Sequence, residues 1–275
     1  MLVIGYEAVL RTGRVAGGHG VGQYQRNVVQ SETFVFGGRE HEDMAVVGSS
    51  LTANIMEAFQ KVRPAEDLAM GGESSLTGLA LVVDAPHGLR RVVIELSQAL
   101  SVPTDPKLTA LTEAPLTSVA VRNVWALRQE YQPANVLSRY LAKSTGGGQS
   151  GPPRTLPQAI RAPMIADVVK LFSVPPSKGD IQVYSANLAA LRVEVDAASR
   201  KGIQCELFWP PIDAAMNQSP RLLAFYAMAR AAFPPPGYTW LAVDYTGAAQ
   251  TNDGYHLLFD DAQAYGRALA VAATR

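Results

Sequence analysis

Two stretches far apart in the chain carry side chains that could act together on an ester. Gly48-Ser49-Ser50-Leu51 follows the apolar run Met44 to Val47, and Asn252-Asp253-Gly254-Tyr255-His256 precedes the last amphipathic segment. A serine hydroxyl is a weak nucleophile at neutral pH and attacks a carbonyl only when a base takes its proton. Imidazole is suited to that task, and a carboxylate on the same turn can orient the ring and stabilise its protonated form. Asp253 and His256, three residues apart, have that spacing. Of the four histidines, His19 and His41 fall in the irregular N-terminal part and His87 in a Pro-His-Gly turn, where each reads as a surface or loop residue. Ser49 or Ser50 could equally do no more than cap a helix; the acid–imidazole pair at the other end of the chain is what favours chemistry.

These residues need a scaffold that delivers them to one place. From residue 44 onward short β runs alternate with helical stretches, the pattern of a layered α/β sheet with parallel strands. Strands are expected at Met44–Val47, Asp67–Met70, Arg91–Leu96, Ile203–Trp209 and Tyr238–Val243. Helices are expected at Leu51–Val62 and at about 75–85, 185–201, 219–232 and 260–273. The serines then sit at the carboxyl end of a parallel strand, the edge where open α/β sheets place ligands. The tight turn exposes the hydroxyl, and backbone N–H groups at the following helix start face any oxyanion beside it. About a hundred residues between the third and fourth strands break the repeat. They include an expected helix around 116–131 and the Gly/Ser/Pro tract 144–153, whose composition predicts a mobile, exposed loop. Residues 1–40 are glycine-rich and weakly periodic and read as an N-terminal arm. Residues 41–275 read as one catalytic domain with a lid-like insertion at about 98–178.

The strand–Gly-Ser-Ser-Leu–helix block near the start, and Asp253-Gly254-Tyr255-His256 before a terminal helix, resemble the first and last blocks of the SGNH/GDSL hydrolase superfamily. Gly48-Ser49-Ser50-Leu51 stands for the commoner Gly-Asp-Ser-Leu and resembles branches that act on acyl groups of the bacterial cell envelope, including alginate O-acetylation and lipoteichoic acid D-alanylation proteins. The resemblance implies a three-layer α/β/α sandwich with a mainly parallel sheet in flavodoxin-like order. It also implies Ser50 as nucleophile, Asp253 as orienting acid and His256 as base. In such proteins a glycine after the second strand lends its N–H to the oxyanion hole, and Gly72 in Met70-Gly71-Gly72-Glu73 matches that place. The usual Gly-x-Asn-Asp after the third strand is absent. The strand ends Ile94-Glu95-Leu96-Ser97-Gln98, leaving Gln98 as a stand-in for the asparagine or as a solvent-facing or capping residue. Trp209-Pro210-Pro211 at the end of the fourth strand is either a flank of an acyl or sugar pocket or a strand stop.

The resemblance implies an acyl-ester hydrolase or O-acyltransferase working through an acyl-enzyme on acylated carbohydrate or cell-envelope substrates, with no cofactor and no metal. The alternative from another class is a catalytically silent module that binds polysaccharide within a modifying complex, which the missing asparagine favours. A nucleotide-binding reading rests only on Gly18, Gly20 and Gly22, with no strand pattern before them. The 24 Lys+Arg balance the 24 Asp+Glu, so no net field attracts nucleic acid or an anionic membrane. With 48% hydrophobic and 17% charged residues the chain can bury a sizeable core. One cysteine, Cys205, excludes an intrachain disulfide and a cysteine-based zinc site. Met1–Tyr6 is too short to span a bilayer and lacks the features of a secretory signal, so the chain reads as soluble as it stands. Tyr6 to Gly13 and Tyr24-Gln25-Arg26 resemble the segment after a membrane anchor in envelope relatives, which keeps a tether or periplasmic location in the full-length protein open.

Overall fold

The computed structural model describes residues 2–20, 22–37, 42–85, 88–113, 115–144 and 155–274. In chain order the elements are α1 (Leu2–Arg11), α2 (Gln23–Phe36), β1 (Met44–Gly48), α3 (Ser50–Ala53), α4 (Met56–Gln60), β2 (Glu66–Ala69), α5 (Ser75–Asp84) and β3 (Arg91–Glu95). Then come α6 (Pro106–Glu113), α7 (Pro115–Asn123), α8 (Pro133–Ser144), α9 (Gln158–Phe172), α10 (Lys178–Arg200), β4 (Gln204–Phe208), α11 (Pro220–Ala232), β5 (Thr239–Trp240) and α12 (Phe259–Ala272). The five strands are parallel, in the order β2-β1-β3-β4-β5. This is the flavodoxin-like order, and the architecture is the expected three-layer α/β/α sandwich.

The strands read as apolar runs because both faces of the sheet are covered. Successive β side chains point to opposite faces. Ala45 and Val47 of β1, with Val92 and Ile94 of β3, pack among Leu76, Leu79 and Val82 of α5 and Leu188, Leu191 and Val195 of α10. Met44, Val46 and Val93 face the other way, onto Met56 and Phe59 of α4 and Tyr265 and Leu269 of α12. The register aligns the carboxyl ends: Gly48 lies opposite Ala69, Val47 opposite Ile94, and Glu95 opposite Phe208. Because β2 lies on one side of β1 and β3 on the other, the crossover direction reverses at β1, and the crevice above it is the expected ligand site.

The N-terminal arm carries two helices, α1 and α2, which its weak periodicity does not signal. Polar Asn27, Ser31 and Glu32 share the buried face of α2 with Phe34, Val35 and Phe36, which hides its helical period. Ser31 donates to Asn27 O, Asn27 donates to Gly71 O, Gln30 donates to Asp67 O, and Glu32 accepts from Gln129 N–H. Burial pushes the Glu32 carboxyl up to about 7, against the hydrogen bond from Gln129. The insertion is helical as well. Leu108 of α6 and Val121 of α7 join the main core. Phe172 at the end of α9 packs with Ile212, Met216 and Leu222.

The expected helix at 116–131 ends at Asn123 and gives way to single 3₁₀ turns at Trp125–Leu127 and Gln129–Tyr131. The expected helix Leu51–Val62 divides into α3 and α4 around Asn54 and Ile55. Strand β5 is shorter than expected, although Leu241 N–H continues the ladder to Leu207 O. Of the tract 144–153 only Ser144 is described, as the last residue of α8; its remaining residues, with His41 and His87, lie outside the described residues.

Candidate active site

Strand β1 ends at Gly48 and the chain turns at once into α3. Ser49 caps that turn, its Oγ accepting from Leu51 N–H at 3.2 Å. Ser50 is therefore the first helical residue, half-buried at the sheet's carboxyl edge. Beneath the turn lies Glu95, the last residue of β3, only 1% exposed. Its Oε2 accepts from Ser49 N–H at 2.9 Å and Thr52 Oγ1 at 2.5 Å, and its Oε1 accepts from Ser49 Oγ at 2.8 Å and Ser97 Oγ at 2.5 Å. A buried carboxylate is tolerable when donors replace its lost hydration, and four converge on this one. Residue 48 must be glycine, since a Cβ there would meet Thr52 Oγ1 at 2.5 Å and Glu95 Oε2 at 2.7 Å.

The imidazole arrives on the segment between β5 and α12. Asp253 folds this loop onto itself, with Oδ1 accepting from the N–H groups of Tyr255 at 3.0 Å and His256 at 2.8 Å. An antiparallel bridge between Thr251 and Leu257 closes the loop. Thr251 Oγ1 donates to Asp213 at 2.9 Å and accepts from Gly254 N–H at 2.9 Å. Asn54, in the break after α3, donates to Leu257 O at 2.8 Å and so ties the histidine loop to the serine turn.

The structure brings Ser50, His256 and Asp253 into one hydrogen-bonded chain. His256 Nε2 lies 2.8 Å from Ser50 Oγ, and His256 Nδ1 lies 2.7 Å from Asp253 Oδ2. Nδ1 donating to the carboxylate leaves Nε2 free to accept the serine proton. Burial works against ionisation of Asp253, but the bonds from the His256 ring and from the backbone N–H groups of His256 and Tyr255 hold its carboxyl down at about 2.

Strand β2 leads into the Gly71-Gly72 turn beside the serine turn, with Met70 N–H donating to Gly48 O at 2.9 Å. Gly72 has φ +77°, a backbone region that penalises a side chain. Gln98 opens the 3₁₀ turn after β3, and its Oε1 is buried without a partner. Among the described residues no hydrogen bond links Gln98 to Ser50, His256 or the Gly71-Gly72 turn. Trp209 packs edge-on to Tyr226 at 5.1 Å and beside Ile212 and Met216. A cleft of about 560 Å³ runs from Ser50 between the sheet edge and α2, with His19, Gln23, Arg26, Asn27 and Gly71 among its lining. Sites for small molecules are commonly of this size. Among the described residues no group of three or more His, Cys, Asp or Glu side chains could hold a metal ion, and no helix is long and apolar enough to cross a membrane.

Sequence reasoning missed Glu95, although an acid closing the run Val92-Val93-Ile94 is itself a signal that the strand end carries a polar network. It also missed Asn54 and the wall contributed by α2. Neither has a spacing signal, because both act through long-range contacts.

Fold and site together define an α/β/α sandwich carrying a serine–imidazole–carboxylate chain at its topological switch point. Comparison of this chain with protein-family models, with curated proteins and with solved structures finds no match.

Proposed function

We propose that this protein is a serine-dependent acyl-ester hydrolase or O-acyltransferase, with Ser50 as nucleophile, His256 as base and Asp253 as orienting acid. The observation that carries the reading is the unbroken chain from Ser50 Oγ through the imidazole to Asp253, at 2.8 Å and 2.7 Å. As the Oγ–C bond forms, the serine proton passes to His256 Nε2 and the carbonyl π pair moves onto oxygen. Collapse of that intermediate breaks the ester C–O bond, and the imidazolium returns the proton to the departing alkoxide. Water or a sugar hydroxyl then takes the acyl group by the same steps reversed. In this reading the backbone N–H groups of Ser50 and Gly72 stabilise the oxyanion.

The SGNH/GDSL resemblance points to acylated carbohydrate of the cell envelope as substrate. The cleft supports this choice, because the exposed Gln23 and Arg26 give its α2 wall hydrogen-bonding groups that suit a hydroxylated acyl carrier better than a long alkyl chain. Hydrolysis of p-nitrophenyl acetate and of O-acetylated oligosaccharides by the wild-type chain and Ser50→Ala tests the proposal. Activity lost with the hydroxyl supports it, and turnover unchanged in Ser50→Ala overturns it.

A further inference from the structure

The oxyanion site is short of a side-chain donor where the family motif would supply one. The third strand offers no asparagine, Glu95 is occupied beneath the serine turn, and no hydrogen bond brings Gln98 to the site. Helix α2 comes from the opposite side. Its first residue, Gln23, is exposed and lines the same cleft as Ser50 and Gly71. A Cβ built on Gly71 would stand 3.0 Å from Gln23 Cδ, and one built on Gly72 would collide with Gln23 Nε2, so the carboxamide lies directly on the Gly71-Gly72 turn. One turn along α2, Asn27 donates to Gly71 O at 2.9 Å and fastens helix and turn together. That anchor fixes where Gln23 can reach. The Gln23 carboxamide makes no hydrogen bond among the described residues, so its N–H groups are uncommitted.

We propose that Gln23 is a catalytic residue whose Nε2–H donates to the oxyanion, beside the N–H groups of Ser50 and Gly72. The inference rests on the serine-esterase reading given above. The carbonyl oxygen gains negative charge as Ser50 Oγ bonds to carbon and His256 takes the proton. The neutral amide stabilises that charge without transferring a proton of its own. The paired glycines then have a second reason to lack side chains, because a methyl group at either would push the amide off the turn.

The test is the rate at which a fluorophosphonate probe labels Ser50, followed by intact mass in the wild type, Gln23→Met and Gln23→Ala. Phosphonylation forms the Oγ–P bond, expels fluoride and builds charge on the phosphoryl oxygen in the same place. Gln23→Met keeps length and bulk but has no donor, so its labelling should slow by about 10²-fold, as should that of Gln23→Ala. With p-nitrophenyl acetate kcat should fall while KM holds, the pattern of a group acting mainly in the transition state. Unchanged thermal unfolding separates this from misfolding. Labelling of both variants within about twofold of wild type would overturn the role of Gln23 and leave the esterase reading intact. A wild-type chain that is not labelled at Ser50 would overturn that reading, and this inference with it.

Discussion

Removing the carboxylate beneath the serine turn should loosen the turn in a way that can be sized from its contacts. In Glu95→Ala the N–H of Ser49 loses its acceptor in a buried place, and an unsatisfied buried donor costs about 1–3 kcal/mol. The hydroxyls of Ser49, Thr52 and Ser97 lose theirs too, though each can rotate towards another acceptor. Loss of the one buried methylene, Cγ, adds about 0.8 kcal/mol. The sum is about 2–4 kcal/mol. Glu95→Gln is gentler. Its carbonyl must take the Oε2 position to accept from Ser49 N–H and Thr52, which leaves the NH₂ facing the hydroxyls of Ser49 and Ser97. Those hydroxyls can turn to accept, so the loss is mainly charge assistance, about 1–2 kcal/mol. Urea unfolding followed by far-ultraviolet circular dichroism measures both variants, and esterase turnover should fall with them as the Ser50 hydroxyl drifts from His256. A Glu95→Ala variant within 0.5 kcal/mol of wild type, or one with full turnover, would refute the view that this carboxylate holds the turn.

Ser50→Ala and His256→Ala should each lower kcat by about 10³-fold or more, with Asp253→Asn milder, in steady-state assays with a short acyl ester. Ser49→Ala should retain most of its turnover but lose about 1–3 kcal/mol in urea unfolding, because it removes a hydroxyl that donates to a buried carboxylate and accepts from Leu51 N–H, while the Ser49 N–H bond to Glu95 stays. The low carboxyl of Asp253 stabilises the fold at every pH above the range in which the unfolded chain's aspartate titrates, and that contribution is lost as pH falls through about 2. Half-burial limits it to about 2 kcal/mol at most, so Asp253→Asn should flatten the acid limb of a stability-versus-pH curve between about pH 4 and 2. Asn54→Ala frees Leu257 O and should cost about 1 kcal/mol, with a drop in kcat larger than that in thermal stability would suggest.

The strands and their helices were legible because their side chains are sorted by contact with two apolar layers. Val46 and Val47 point to opposite cores, so β1 reads as a continuous apolar run, and the residue after it had to be a turn. Asp253 and His256 were legible because a three-residue spacing lets an acid cap the turn that carries the ring. Helix α2 was not, since its apolar core residues Phe34, Val35 and Phe36 crowd into its last turn, while the preceding turns reach β2 and the turn after it through Gln30 and Asn27. Asn54 is likewise invisible locally, because its partner lies some two hundred residues away. Glu95 shows how a residue noted only for not being asparagine can hold the motif in place from below.

The central claim is that Ser50, and not Ser49, Ser74 or Ser75, is the nucleophile activated by His256. The most direct measurement is peptide mapping by mass spectrometry after treatment of the native chain with a fluorophosphonate probe. The account predicts one stoichiometric adduct on Ser50, absent from His256→Ala on the same timescale. An adduct on Ser49, Ser74 or Ser75, or labelling of Ser50 as fast without His256 as with it, would contradict it.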